Sequence, residues 1–207
     1  MKVLAVERVA GCRPEAVARA IVAREVASPS CLPVTLLTDS ALVREGNPVF
    51  LPDFAAGWIL CVAPYFSIGR LGKGISPKFA SRYVDGFGMA ARLVPPDSRV
   101  AGGSVAGAGA LGSNFDGALL VGRRFPAREW CPDDRLVLST GDGGKDAVLT
   151  YADLHLEDTV ALVSRYMMLK TGDMIIPCGT SMLLQAEIGL RASVSLNGLP
   201  ALNIKVK

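Results

Sequence analysis

The sequence predicts a β-rich α+β fold, a roll or sandwich carrying a few short helices. Three observations point there. Short apolar runs at 34–37, 49–51, 58–62, 83–91, 118–121, 136–138 and 174–177 are separated by Gly, Pro, Asn and Asp, the punctuation of strands joined by turns. Helical periodicity is confined to a few stretches. Near the end, SLNGLPALNIKV sets Asn197-Gly198 between two apolar runs, a strong hairpin signal, so the chain is expected to finish on paired strands. The 207 residues, half of them apolar, suffice for one real core and exclude wholesale disorder.

In chain order, KVLAV reads as a short buried strand. Residues 14–27 read as a helix, with Pro14 in its first turn and Glu15 four residues before Arg19. A short helix is expected at 76–81. A longer one is expected at 156–169, with Val160, Val163, Tyr166 and Met167 on one face and Glu157 and Asp158 complementing the dipole of its first turn. Between them, AGGSVAGAGALG (101–112) has no charge and almost no bulky anchor, so a mobile loop is expected. No internal repeat or linker is visible. The expected organisation is an N-terminal strand and helix, residues 1–34, packed on a main unit, residues 35–207.

Charge and cysteine usage exclude several classes of function. With 22 basic and 19 acidic residues and a net charge of +3, there is no basic stripe for a nucleic-acid backbone. No apolar run reaches the roughly 18 residues of a membrane span, and the opening residues are too quickly charged for a signal peptide. A cytoplasmic protein binding neither nucleic acid nor membrane is expected. The cysteines Cys12, Cys31, Cys61, Cys131 and Cys178 are odd in number and never spaced C-x-x-C, which argues against a disulfide framework and a zinc knuckle. His155 is the only histidine, so a histidine-rich metal site is excluded and any Ser–His or Cys–His chemistry has a single possible base.

Asp153, His155 and Glu157 alternate as metal ligands on a strand would, although helix capping fits the position of His155 better. Gly141, Gly143 and Gly144 could expose amides to an anion. They lack phosphate-loop spacing, however, and read as a hairpin turn. Cys61 and Cys178 lie in apolar runs, where a thiol is ordinarily an inert small hydrophobe.

Four segments in order, DSALVREGNPVFLPDF (39–54), GRLGKGISPKFASRYVDGF (69–87), NFDGALLVG (114–122) and SRYMMLKTGDMIIPCGT (164–180), resemble the fumarylacetoacetate hydrolase family. The similarity runs from about Thr35 to the end of the chain. It implies a mixed β-roll, usually a homodimer, with Mg²⁺ or Mn²⁺ at the mouth of the roll. In the family this ion polarises the oxo group of small 2-oxo or 1,3-dicarbonyl acids during hydrolysis, isomerisation or decarboxylation. The family holds the metal with an E-x-E pair, an Asp about thirty residues later and a Lys beyond it. Counted without gaps, the glutamate positions fall on Cys61 and Ala63, the aspartate on Arg92 and the lysine on Ser113. The family's early histidine has no counterpart. Gly179-Thr180 matches a motif near the family site, with Ser181 replacing the usual proline.

A hard dication requires oxygen ligands that Cys, Ala and Arg cannot supply. A guanidinium about 5 Å away would repel it by about 7 kcal/mol at an effective dielectric of about 20. The resemblance, so altered, implies a catalytically defective relative with no metal cofactor and no catalytic residue of the family set. Its pocket candidates are Cys61, Ala63, Arg92, Ser113, Gly179 and Thr180, and its expected partner is a small carboxylate or another protein. Two alternatives stand beside it. One is an active hydrolase, isomerase or decarboxylase drawing metal ligands from Asp97, Asp116 or the Asp153, His155 and Glu157 set. The other is a Cys61 nucleophile activated by Arg92. Against a ligand-binding role, Arg92 could also fold outward or pair with Asp85 or Asp97.

Overall fold

The computed structural model describes residues 1–6, 34–96, 114–129, 135–140, 147–150, 156–177 and 182–207. The expected helix at 14–27, the Gly/Ala segment 101–112 and the glycine cluster at 141–144 lie outside these residues. Among the described residues there are twelve strands: β1 (Val3–Val6), β2 (Val34–Leu37), β3 (Leu42–Arg44), β4 (Trp58–Ile68), β5 (Val84–Val94), β6 (Leu119–Pro126), β7 (Arg135–Thr140), β8 (Ala147–Thr150), β9 (Met174–Pro177), β10 (Met182–Ala186), β11 (Arg191–Leu196) and β12 (Leu199–Lys205). Two helices accompany them, α1 (Pro77–Ala80) and α2 (Leu156–Tyr166).

The larger sheet is mixed and curled, in the order β2-β1-β9-β4-β5-β6-β3, with β10 joining β4. The pairs β1 with β9 and β3 with β6 are parallel. The second sheet runs β12-β11-β7-β8. This is the expected β-rich fold, and no helix among the described residues is long and apolar enough to cross a membrane.

The apolar runs at 58–62 and 83–91 mark the centre of the sheet but understate it, because β4 continues to Ile68 and β5 to Val94. β4 continues through Pro64 because its second flank changes partner there. Residues 58–62 pair with β10 and residues 66 and 67 with β9. Among the described residues, Pro64 therefore pairs with β5 alone, at the stretch where a missing N–H disrupts least. The expected strand at 49–51 is instead a single bridge from Val49 to Val206. The expected 76–81 helix is a single turn, α1, followed by a 3-10 turn at Ser81–Tyr83.

Helix α2 buries Leu156, Val160 and Val163 as its spacing predicts, but it ends at Tyr166, which is exposed. The cause is tertiary. Leu169 forms a two-way backbone bridge with Gly72, at 2.8 and 3.0 Å, and this pulls the chain out of the helix. The terminal hairpin forms as expected: Asn197 and Gly198 have φ of 49° and 83°, the left-handed pair that a type I′ turn between β11 and β12 requires.

One face of the large sheet, including Leu60, Val62, Phe66, Phe87, Met89, Leu93 and Leu120, packs against Val194, Leu196, Leu202 and Ile204 of the second sheet and Val160 and Val163 of α2. The sheets approach each other tightly at Gly122 of β6. A Cβ at that position would overlap the carbonyl oxygen of Ala201 and crowd Leu202. The opposite face carries a separate cluster: Val3, Ala5, Leu37, Ala63, Tyr65, Ala90, Leu119, Met174 and Ile176.

A buried carboxylate ties that second face to the start of the chain. Asp173, 2% exposed, accepts the backbone N–H of Lys2 at 2.8 Å and that of Lys170 at 2.8 Å, and pairs with Lys2 Nζ. The adjacent Met174 N–H donates to Lys2 O at 2.9 Å. Together these bonds set the register between β1 and β9, which supply Val3, Ala5, Met174 and Ile176.

Candidate functional site

Side chains alternate across a strand, so Cys61, Ala63 and Tyr65 of β4 share one face, and Ala90 and Arg92 of β5 share the same face through cross-strand pairing. The register is direct: Cys61 lies opposite Arg92 and Ala63 opposite Ala90. On the far side of β5, Leu119 lies opposite Arg92 and Val121 opposite Ala90. Directly opposed residues hold their Cβ atoms about 5 Å apart. Three of the six pocket positions read from the sequence, Cys61, Ala63 and Arg92, are thus brought together. Ser113, Gly179 and Thr180 lie outside the described residues, as do Asp97, Asp153 and His155.

The site is deeply buried. Cys61 is 5% exposed, Ala63 1% and Arg92 2%. The outward-folded alternative for Arg92 is therefore overturned, because the strand register turns its side chain onto the apolar face that Ala63 and Leu119 share. Its Nε and Nη1 are fully out of solvent. Asp85 is not its partner. That carboxylate sits at the opposite end of β5, where Oδ1 accepts Ser67 Oγ at 2.6 Å and pairs with Arg124 Nη2 at 2.9 Å, while Arg124 Nε donates to Ser67 Oγ at 3.1 Å. Burial alone would raise the Asp85 pKa, but the Ser67 and Arg124 hydrogen bonds and the Arg124 charge outweigh it and hold the carboxyl below its usual range.

Tyr65, two residues along from Ala63, completes the face and was missed by the sequence reading. In CVAPY every residue is compatible with either side of a strand, so nothing local marks which ones share a face. Its hydroxyl reaches Gly122 O at 3.4 Å. Burial, partly offset by the Arg124 charge, pushes its pKa up to about 12.

The donor set does not fit a hard dication. The positions matched to the family's ligands present a thiol, a methyl and a guanidinium, none of them an oxygen ligand. Among the alternative ligands, Asp116 is exposed on the turn before β6 and Glu157 sits in the first turn of α2. Among the described residues no three His, Cys, Asp or Glu side chains converge.

No family model and no curated protein sequence matches the chain. Solved structures do. A 5-carboxymethyl-2-hydroxymuconate delta-isomerase from Mycobacterium smegmatis superposes with a TM-score of 0.74 at 20% identity, covering 99% of this chain and 78% of that one. A protein from Yersinia pestis CO92 assigned to the fumarylacetoacetate hydrolase family gives 0.74 at 18% identity, covering 100% and 92%. Fumarylpyruvate hydrolase from Pseudomonas aeruginosa, solved with Mn²⁺ and pyruvate, gives 0.70 at 20% identity, covering 100% and 89%. Over essentially its whole length, at about one residue identical in five, the chain has the fold of the fumarylacetoacetate hydrolase family's hydrolases and isomerases.

Proposed function

We propose that the chain is a catalytically defective relative of these hydrolases and isomerases that holds a small carboxylate at Arg92 without a divalent metal. The observation that carries the reading is the register pair Cys61 and Arg92. The two positions where the resemblance calls for a glutamate and an aspartate face each other on one buried surface, and they hold a thiol and a cation. The site's charge is inverted, while the strands that frame it keep the family's fold.

An anion is the chemically matched occupant of such a surface. A guanidinium offers a planar fork to a carboxylate, and a charge-assisted bond in low-dielectric surroundings is about twice as strong as a neutral one. A fold relative holds pyruvate together with Mn²⁺. Here the arginine would meet the carboxylate directly, and Cys61, Ala63 and Arg92 supply none of the oxygen ligands that a hard dication requires.

The experiment is calorimetric titration of metal-stripped protein with Mg²⁺, with Mn²⁺ and with pyruvate. Pyruvate is expected to bind with or without metal. Arg92→Met is expected to weaken it by 1.5 to 3 kcal/mol, roughly ten- to a hundredfold in Kd. Stoichiometric, tight Mn²⁺ binding would overturn the reading and return the chain to metal-dependent chemistry with ligands from elsewhere. Pyruvate affinity unaffected by Arg92→Met would remove Arg92 from the site.

A further inference from the structure

The solvent face of the second sheet carries a cleft of about 470 Å³, remote from the Cys61 and Arg92 pair in both strand and sheet. Its floor is set by register. Arg191 of β11 lies directly opposite Lys205 of β12, and one step along, Ser139, Ser193 and Asn203 form a row across β7, β11 and β12. Ala192, Val194 and Ile204 between them turn the other way into the core, so these polar side chains share the outer face. Asn47, in the turn after β3, closes one side.

Two cations directly opposite each other on a strand pair repel, an arrangement that sheets ordinarily avoid. Both side chains are exposed, and among the described residues neither has a hydrogen-bond or ion-pair partner. The carboxylate described nearby is Glu45, whose Oε1 is occupied by Asn203, accepting its backbone N–H at 2.9 Å and its Nδ2 at 2.7 Å. Glu45 does not line the cleft, whose lining residues carry two cations and no carboxylate, with hydroxyl and amide groups in the adjoining row.

We propose that this cleft binds a phosphoryl group, as free phosphate or as the monoester of a small polar molecule. At neutral pH such a group is close to a dianion. One group would thus neutralise both cations, with the arginine fork taking two oxygens and the lysine ammonium a third. A carboxylate would neutralise only one. The Ser139, Ser193 and Asn203 row then faces whatever polar body the phosphate carries.

The test is equilibrium dialysis of the full chain against inorganic phosphate and against acetate, at low ionic strength and near neutral pH. Saturable phosphate binding is expected, with acetate at least about tenfold weaker. Arg191→Gln and Lys205→Gln, both at exposed positions, should each weaken phosphate by about tenfold or more, and the double variant should abolish it. Arg92→Met should leave phosphate binding unchanged. Absence of saturable binding, equal affinity for acetate, or full binding by the double variant would overturn the inference. Loss of phosphate binding in Arg92→Met alone would place the anion in the other site, which sinks this inference and leaves the proposed function standing.

Discussion

Replacing Asp173 with asparagine tests the contact that seats β1 against β9. The wild-type carboxylate offers Oδ1 to the Lys2 N–H and Oδ2 to both the Lys170 N–H and the Lys2 ammonium. Asparagine has the same shape but one oxygen, so its NH₂ must confront one of the two backbone donors. A charge-assisted bond worth 1.5 to 3 kcal/mol is lost and a hidden N–H is left without an acceptor, at roughly 1 to 3 kcal/mol. Lys2 is 32% exposed and recovers water, which discounts the sum to about 3 kcal/mol. For a chain of this length that corresponds to a fall in Tm of about 6 to 12 °C. Lys2→Met, which spares both backbone bonds, should cost about 1 kcal/mol. A pH series sharpens the test. Burial by itself raises the Asp173 pKa, but the Lys2 side chain, the Lys170 and Lys2 amides and the Lys2 charge hold it below its ordinary 3.8. A carboxyl depressed in the folded state contributes stability that is complete above the unfolded value and is lost as pH falls through the folded one. Calorimetric melting should therefore show the gap between wild type and Asp173→Asn constant above pH about 5 and closing below about 4. A Tm within about 1 °C of wild type, a gap that persists in acid, or an equal loss in Lys2→Met would refute the reasoning.

Gly122→Ala should destabilise by about 1 to 3 kcal/mol in chemical denaturation, because its Cβ overlaps the Ala201 carbonyl where the two sheets meet. An unchanged midpoint would mean that the sheets can separate without cost. Tyr65 should contribute phenolate absorbance only near pH 12, and Tyr65→Phe should remove that late step. Because burial raises this acid's pKa, the stability linked to its neutral form is lost as pH climbs past the ordinary value of about 10. A single tyrosine transition complete by about pH 11 would contradict this.

Strand positions were legible where turn residues bracket apolar runs: β2 and β9 match the runs at 34–37 and 174–177, and the hairpin follows from Asn197-Gly198. Strand lengths were not. The continuation of β4 past Val62 depends on β10 and β9 sharing its flank around Pro64, a long-range arrangement with no local mark, and α2 stops early because of a backbone bridge from Leu169 to Gly72. At the site, counting between motifs reached Cys61, Ala63 and Arg92 one at a time. That Cys61 and Arg92 stand opposite each other is a matter of register, which depends on how the two long strands align over their full length. Lys2 and Asp173, 171 positions apart, carry no sequence signal of their partnership at all.

The same pairing bears on the order of folding. β1 lies inside the large sheet, between β2 and β9, yet its partner strand β9 follows it in the chain by 171 positions. At bacterial or eukaryotic rates of about 5 to 20 residues per second, the ribosome needs roughly ten to thirty seconds to bridge that separation. During that interval β1 can pair with β2 along one edge only, and its other edge and the apolar faces of Val3 and Ala5 wait for a partner. The nascent chain is then an open strand edge of the kind that recruits chaperones or other copies of itself. The yield of folded protein should accordingly respond to the rate at which the residues between β2 and β9 are translated, more than to the intrinsic stability of the finished fold.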